Sequence, residues 1–479
     1  MDPVAFLVAG RPTSSAEVCS VRHPYDGRVI GRTSNATPDQ IEAAVAAAAG
    51  VADHAATLPA HIRAAALDHV AHRLAERAEE LAFLITGESG KPLRWARAEV
   101  AGAVSTFRWG AEETRRYSGG VQRLDTDPSG TGRLALIRRV PKGPVLGITP
   151  FTFPLNAVAH KVAPALAVGA PIVVRPDRSA PLAALALGQM LAEADLPAGM
   201  FSVLPLPDDR SAQLLRDPRL PVVSFTGDGS VGAGIRHAVP DKHVTLELGG
   251  NAAAVICSDW ASDEDFTWSA QRIATFANYQ AGQSGIAVRR VYVHEWLYDG
   301  FLARLVAAVE ALRIGDPFDE GTDVGPLINE AAARRVEAWV DEAVAAGGSV
   351  AVGGERDGAS YSPTVLTGVS PGARVWREEV FGPVLVIAPV RDDATAFAAV
   401  NDSPYGLQAG VFTHSLQTAF AAHRTLRVGG VIVGDVPSYR AEQMPYGGVK
   451  GSGVGRAGVR SAMGDYTDPR VMVLTGVDL

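Results

Sequence analysis

The sequence predicts an α/β fold built from two parallel-sheet units, and three observations carry that prediction. From Pro144 onward, short apolar runs bounded by proline and glycine alternate with helix-length segments, which is the pattern of repeated βαβ units. The pattern occupies two stretches, one ending near Asn251 and the other running from about Ala252 to Val433. The chain has 479 residues, 47% hydrophobic and 20% charged, which is enough to bury more than one large core and unlike a disordered or fibrous composition.

Before Pro144 the texture is helical. Thr37 followed by Pro38, Gln40 and an alanine run to Gly50 matches a helix with a threonine N-cap, a proline in the first turn and a glycine just past the end. Two longer helical patterns follow over 61–86 and 93–117. Strands are then expected at 145–148, 172–174, 201–204, 222–225 and 244–246 in the first unit and at 291–294 and 384–388 in the second, with helices between them. No internal repeat, low-complexity tract or long Ser/Gly linker interrupts this order.

Lys and Arg number 44 against 52 Asp and Glu, a formal charge of -8, so the molecule as a whole repels a phosphate backbone and no nucleic-acid partner is expected. Cys19 and Cys257 are too few and too widely spaced for a disulfide framework, which fits a reducing compartment. Residues 1–11 lack a basic segment leading into an apolar stretch, and His160 and Lys161 interrupt the most apolar later window. A cytoplasmic protein without a signal peptide or membrane span is therefore expected. The histidines show no metal-ligand spacing, so no metal is expected.

The run Gly227-Asp228-Gly229-Ser230-Val231-Gly232 fits G-x-G-x-x-G between a predicted strand and a predicted helix. Backbone amides and the positive end of the helix dipole would cradle a pyrophosphate there. By this fingerprint alone, the acid about 20 residues on, Glu247, would hold a ribose hydroxyl.

The segment GITPFTFPLN (147–156) resembles the aldehyde dehydrogenase superfamily. So do six further blocks in order: VVRP (173–176), SFTG (224–227), LELGGN (246–251), GQSG (282–285), EEVFGP (378–383) and PYGGVK (445–450). Within that superfamily, DVPSYR (435–440) and MPY (444–446) look most like the lactaldehyde, non-phosphorylating glyceraldehyde-3-phosphate and phosphonoacetaldehyde dehydrogenases. The resemblance implies a Rossmann-type cofactor domain (1–118 and 139–248), an α/β catalytic domain (249–447), and a small oligomerisation element with the C-terminal tail (119–138 and 448–479). It also implies NAD or NADP as cofactor and a homodimer or homotetramer.

Residue by residue, the resemblance makes Glu247 the general base instead of a ribose ligand. It places Glu379 and Phe381 on the nicotinamide ribose and ring, with Phe151, Gly227, Asp228, Gly232 and Gly249 along the cofactor's path. Arg175 and Arg178 fall at the adenosine end, where two guanidiniums would favour the 2′-phosphate of NADP through charge-assisted forks. Arg108, His160, Arg290 and Arg440 fall where similar enzymes bind the anionic end of a small aldehyde.

Three positions depart from the family pattern. Gly285 stands where a nucleophilic cysteine is expected, and neither Cys19 nor Cys257 maps close enough to replace it. Ser284 is the nearest hydroxyl. Thr152 replaces an asparagine that stabilises the oxyanion, and loss of such a donor typically costs about 3 kcal/mol in the transition state. Asp228 replaces a serine and brings a carboxylate to the pyrophosphate site. A small anionic aldehyde (phosphonate, phosphate or carboxylate) that exists as its gem-diol already carries the second oxygen, so hydride could leave it directly, with Glu247 as base, Thr152 holding oxygen and Gly285 leaving space. The alternatives are a catalytically inactive binding or assembly subunit, and an inactivated variant of an ordinary member.

Overall fold

A computed structural model describes residues 2–476; the expected domain limits at Met1 and at 477–479 lie outside the described residues. Five parallel strands form the middle of an eight-stranded sheet, in the order Phe201–Val203, Ile172–Arg175, Val145–Ile148, Val222–Thr226, His243–Glu247. These are the five strands expected in the first unit, each within a residue of its expected ends. Chain order reverses between Val145–Ile148 and Val222–Thr226, so the crevice at their carboxyl ends is the natural ligand site of such a sheet. Helices Asn156–Val168 and Leu182–Ala192 are buried along most of their length against this sheet.

The second unit is a seven-stranded sheet in the order Ser349–Val352, Thr364–Thr367, Val384–Val390, Arg290–His294, Ala253–Ile256, Gln408–Phe412, Gly430–Val433. Only its first strand runs antiparallel. A separate three-stranded antiparallel sheet joins Gly120–Arg123, Arg133–Pro141 and Thr467–Thr475. Val121, Val471, Met472 and Val473 are all more than half exposed on it.

Two helix boundaries differ from expectation. Thr37 caps its helix through a reciprocal box with Gln40, but the helix runs on through Gly50 to Thr57. Ala44, Ala48 and Ala55 keep one face buried across that point, and this outweighs the roughly 1 kcal/mol that a mid-helix glycine costs. The 61–86 pattern is two helices, Ala60–Glu76 and Ala78–Ser89, broken at Arg77 with φ -102° and ψ 21°. Among the described residues no single helix is long and apolar enough to cross a membrane.

Candidate active site

The turn after strand Val145–Ile148 carries Phe151, Thr152 and Phe153 into helix Asn156–Val168. Glu99 fixes it from below: its Oε1 accepts from the amides of Leu155 and Asn156 at 2.9 and 3.0 Å, and its Oε2 pairs with Lys91. Lys91 also lies 4.2 Å from the centre of the Phe153 ring. Both charges are buried, so each depends on the other to offset desolvation. Thr152 is buried, and its carbonyl accepts from Gln280 Nε2.

Gln280 opens the turn that leads to Gly285. Gln280, Ala281 and Gly282 all have left-handed backbones, with φ of 53°, 53° and 69°. A Cβ on Gly282 would fall 2.1 Å from the Gly382 carbonyl, so only glycine fits there. Buried Arg289 pins the turn by donating to the carbonyls of Gly282, Ser284 and Gly382. The Ser284 hydroxyl accepts from Tyr279 at 2.6 Å. Gly285 itself lies against Leu248, Gly249 and Leu407, and its φ is outside the left-handed region.

Glu247 ends strand His243–Glu247, two residues before the glycine pair that packs on Gly285. Its Oε1 lies 4.0 Å from the Nζ of Lys161, a buried lysine that the sequence reading did not assign to the site. Lys161 donates to Ser224 Oγ at 3.1 Å and Thr226 Oγ1 at 2.8 Å. Burial pushes its pKa down, and the charge of Glu247 opposes that shift.

On the other side of Gly285, Gly250 donates to Glu379 Oε1 at 3.0 Å. A Cβ on Gly249 would fall 1.9 Å from Glu379 Oε2, so that glycine is what lets the carboxylate in. Burial raises the Glu379 pKa despite the Gly250 bond and the nearby Arg289. Phe381, at φ 46°, meets Phe151 edge to face with ring centres 6.3 Å apart. Gly232 packs so closely on Leu248 that a Cβ would fall 2.4 Å from it, whereas Gly229 faces open space at the start of helix Gly229–Ala238.

Several expected ligands have other partners. Asp228 caps helix Gly229–Ala238, its Oδ1 accepting from the amides of Ser230 and Val231 at 2.7 and 3.2 Å. Burial works against its charge, but these bonds hold its pKa below the usual range. Arg175 is paired with Asp208 at 2.6 Å and with Ser211, while Arg178 is exposed. Arg290 does not reach the substrate side. It is buried and donates to the carbonyls of Asn251, Ala399 and Val400 and to Tyr292, because residue 290 opens strand Arg290–His294 on the face opposite Arg289. His160 is also occupied, its Nε2 contacting Glu442, whose other oxygen accepts from Asn156 at 3.2 Å.

Arg108 is exposed on helix Leu93–Arg116, whose Thr106 bonds Asn156 at 3.1 Å. Arg440 stacks 4.2 Å over buried Tyr446, and its Nε and Nη2 are buried with no partner. Tyr446 packs in turn with Ile286 and Leu407 beside Gly285. Among the described residues no group of three His, Cys, Asp or Glu side chains converges as a metal site would require.

A model of the aldehyde dehydrogenase family matches residues 11–472. A 3-sulfolactaldehyde dehydrogenase of Priestia aryabhattai is 40% identical over 470 residues, spanning 98% of this chain and 97% of that protein. Among solved structures, aldehyde dehydrogenase 21 of Physcomitrella patens in complex with the reaction product succinate matches with a TM-score of 0.97 at 40% identity, over 100% of this chain and 99% of the other. The glyceraldehyde-3-phosphate dehydrogenase GapN of Methanocaldococcus jannaschii complexed with NADP matches with a TM-score of 0.90 at 32% identity, over 95% and 98% of the two chains.

Proposed function

Since this chain belongs to the aldehyde dehydrogenase family, we propose that it is an NAD(P)-dependent oxidoreductase converting a small anionic aldehyde to its acid, taking the aldehyde as its gem-diol. The observation that carries this reading is the guanidinium of Arg440. Its two unpartnered buried nitrogens sit over Tyr446, which packs beside Gly285. The substrates named in the relatives, with sulfonate, carboxylate or phosphate ends, are the class such a group would hold.

The Gly249 cradle around Glu379 and the Phe151–Phe381 edge suit a nicotinamide riboside. The open turn at Gly229 suits a pyrophosphate, provided the Asp228 carboxylate gives way. When bound, oxidised nicotinamide supplies a hydride acceptor. The chain's own residues do the rest: Arg440 orients the anionic end, and Glu247 takes a proton from one gem-diol hydroxyl as the C–H bond loses hydride. Thr152 donates to the oxygen that becomes the new carbonyl, and Gly285 leaves room for the second hydroxyl. Lys161, 4.0 Å from Glu247 Oε1, places a buried amine beside that carboxylate. The exposed apolar residues on sheet Gly120–Arg123, Arg133–Pro141, Thr467–Thr475 support assembly as a homodimer or homotetramer.

The test is steady-state reduction of NAD and NADP with a strongly hydrated anionic aldehyde and with a poorly hydrated aromatic one. The natural chain should turn over only the first, and Glu247→Gln should lower that rate at least about a hundredfold. Absence of turnover with either aldehyde, in a protein that still binds cofactor, would leave an inactive binding subunit.

A further inference from the structure

Among the described residues five that are not glycine have left-handed backbones: Ala9, Gln280, Ala281, Phe381 and Lys450. Three of them fall in two short segments of the candidate site. Gln280 and Ala281, both at φ 53°, lie in the turn that leads to Gly285, and Phe381, at φ 46°, follows closely on Glu379. A side chain in this region is disfavoured and persists only where its surroundings impose it. Both segments must therefore be held against relaxation.

The two segments touch, since a Cβ on Gly282 would fall 2.1 Å from the Gly382 carbonyl oxygen. Arg289 reaches both. Its Nη1 donates to the Gly382 carbonyl at 2.5 Å, and its Nη2 donates to the carbonyls of Gly282 and Ser284, the latter at 3.3 Å. The side chain is 2% exposed, and burial pushes its pKa down to about 10, which leaves it charged at neutral pH. These bonds all end on main-chain carbonyls, so the desolvated charge depends on both segments staying where they are. The Arg289 backbone is fixed by the sheet: its amide donates to the Ala252 carbonyl at 2.9 Å, and its own carbonyl accepts from the Val386 amide at 2.8 Å. The residue before strand Arg290–His294 thus carries, from a rigid base, a planar fork with one terminal nitrogen for each segment, a geometry that a lysine ammonium lacks.

Building on the reading that the reacting carbon lies at Gly285 and the nicotinamide at Phe381, we propose that Arg289 is a positioning residue, a clamp that joins the two strained segments into one unit and so fixes the distance across which hydride passes. Without the fork each segment can relax towards ordinary backbone geometry independently of the other. A displacement near 1 Å between reacting groups costs up to about a hundredfold in rate.

The first experiment is native-state amide hydrogen exchange, read by mass spectrometry on the ligand-free natural chain and on Arg289→Lys. The reporter amides are Ser284, bonded to the Gly282 carbonyl at 2.9 Å, and Val384, bonded to the Gly382 carbonyl at 2.8 Å. In low urea the natural chain's segments 280–285 and 379–384 should exchange with one common denaturant dependence, because they open together. Arg289→Lys should speed exchange of both by at least about tenfold, having lost charge-assisted bonds, while strands Ala253–Ile256 and Gln408–Phe412 exchange as before. Separate denaturant dependences in the natural chain overturn the proposal without any variant. So does acceleration in Arg289→Lys that is absent, confined to one segment, or equally large in the strands.

Turnover gives the second readout. Arg289→Lys should lose about ten- to a hundredfold in kcat, with the aldehyde KM and the NADH dissociation constant within about threefold, and deuterium on the aldehyde carbon should slow it more than it slows the natural chain. An unchanged kcat in a variant whose segments have loosened overturns the positioning role. Failure of the natural chain to turn over any aldehyde overturns instead the assignment of Gly285 and Phe381 as the reaction site, and the exchange measurement then decides the clamp alone.

Discussion

Gly285→Cys restores the thiol that the family pattern expects, and the structure says what else it would do. A Cβ at this position would lie 3.3 Å from Leu407 Cδ2, 3.5 Å from the Leu248 carbonyl and 3.6 Å from Gly249 Cα. Only the Leu407 side chain must yield, by a few tenths of an ångström. The backbone at 285 is outside the left-handed region, so a side chain adds no φ strain. Replacing glycine restricts the unfolded chain and stabilises by about 0.4–1 kcal/mol, and crowding of Leu407 offsets a similar amount. The variant should therefore fold with a melting temperature within about 2–4 °C of the natural chain. Its activity is the informative readout. If hydride leaves the gem-diol directly, the thiol takes space that the hydrate needs, and turnover of the strongly hydrated aldehyde should fall, by up to about a hundredfold for a displacement near 1 Å. The assay is steady-state cofactor reduction on the hydrated and the aromatic aldehyde, with intact mass measured during turnover. A hundredfold rise on both aldehydes, with a covalent acyl adduct on the variant, would refute the hydrate mechanism and identify the natural chain as an inactivated thiol enzyme.

Arg178→Glu should move the ratio of NADPH to NADH dissociation constants about tenfold or more towards NADH, because Arg178 is exposed while Arg175 is already tied to Asp208. A ratio that stays put, measured by fluorescence titration, would make Arg178 a surface residue only. Asp228→Ser should tighten NADH binding several-fold, since the Oδ1 that now occupies the amides of Ser230 and Val231 would no longer repel a phosphate there; an unchanged constant would limit Asp228 to helix capping. Glu88 is fully buried, and burial raises its pKa from 4.5 to about 8 against the bonds from Ala183 and Leu182. Its folded pKa lies above its unfolded one, so its contribution is fully present below about pH 4.5 and is lost as pH rises through 8, by roughly 3–5 kcal/mol. Melting temperatures at pH 5, 7 and 9 should fall more steeply for the natural chain than for Glu88→Gln, and parallel profiles would show that Glu88 does not titrate in this window.

The five parallel strands of the first sheet and two strands of the second were legible because an apolar run closed by proline or glycine states its own limits, and the G-x-G-x-x-G run leads from strand Val222–Thr226 into helix Gly229–Ala238 as expected. The site was less legible wherever a charge owes its place to a partner distant in sequence. Lys161 did leave a signal: a lysine inside AVAHKVAPALAV, a stretch apolar all round apart from it and His160, has to be buried with a counter-charge, and Glu247 is 86 positions away. Glu442 left none, since a glutamate in a loop is ordinarily solvated and only the fold brings His160 and Asn156 to it. Arg290 shows a different limit. Five residues past Gly285 is a distance along the chain, but in strand Arg290–His294 and its approach the side chains alternate in direction, so a shift of one residue exchanges the two faces. Arg289 consequently locks the turn that carries Gly285, and Arg290 ties strand Arg290–His294 to the carbonyls of Ala399 and Val400 on the far side. Sequence proximity thus pointed to Arg290 as a ligand for the substrate's anionic end, whereas it is the adjacent Arg289 that touches the turn carrying Gly285, because which of two neighbouring residues faces that turn becomes visible only once the strand's register is fixed by its neighbours Ala253–Ile256 and Val384–Val390.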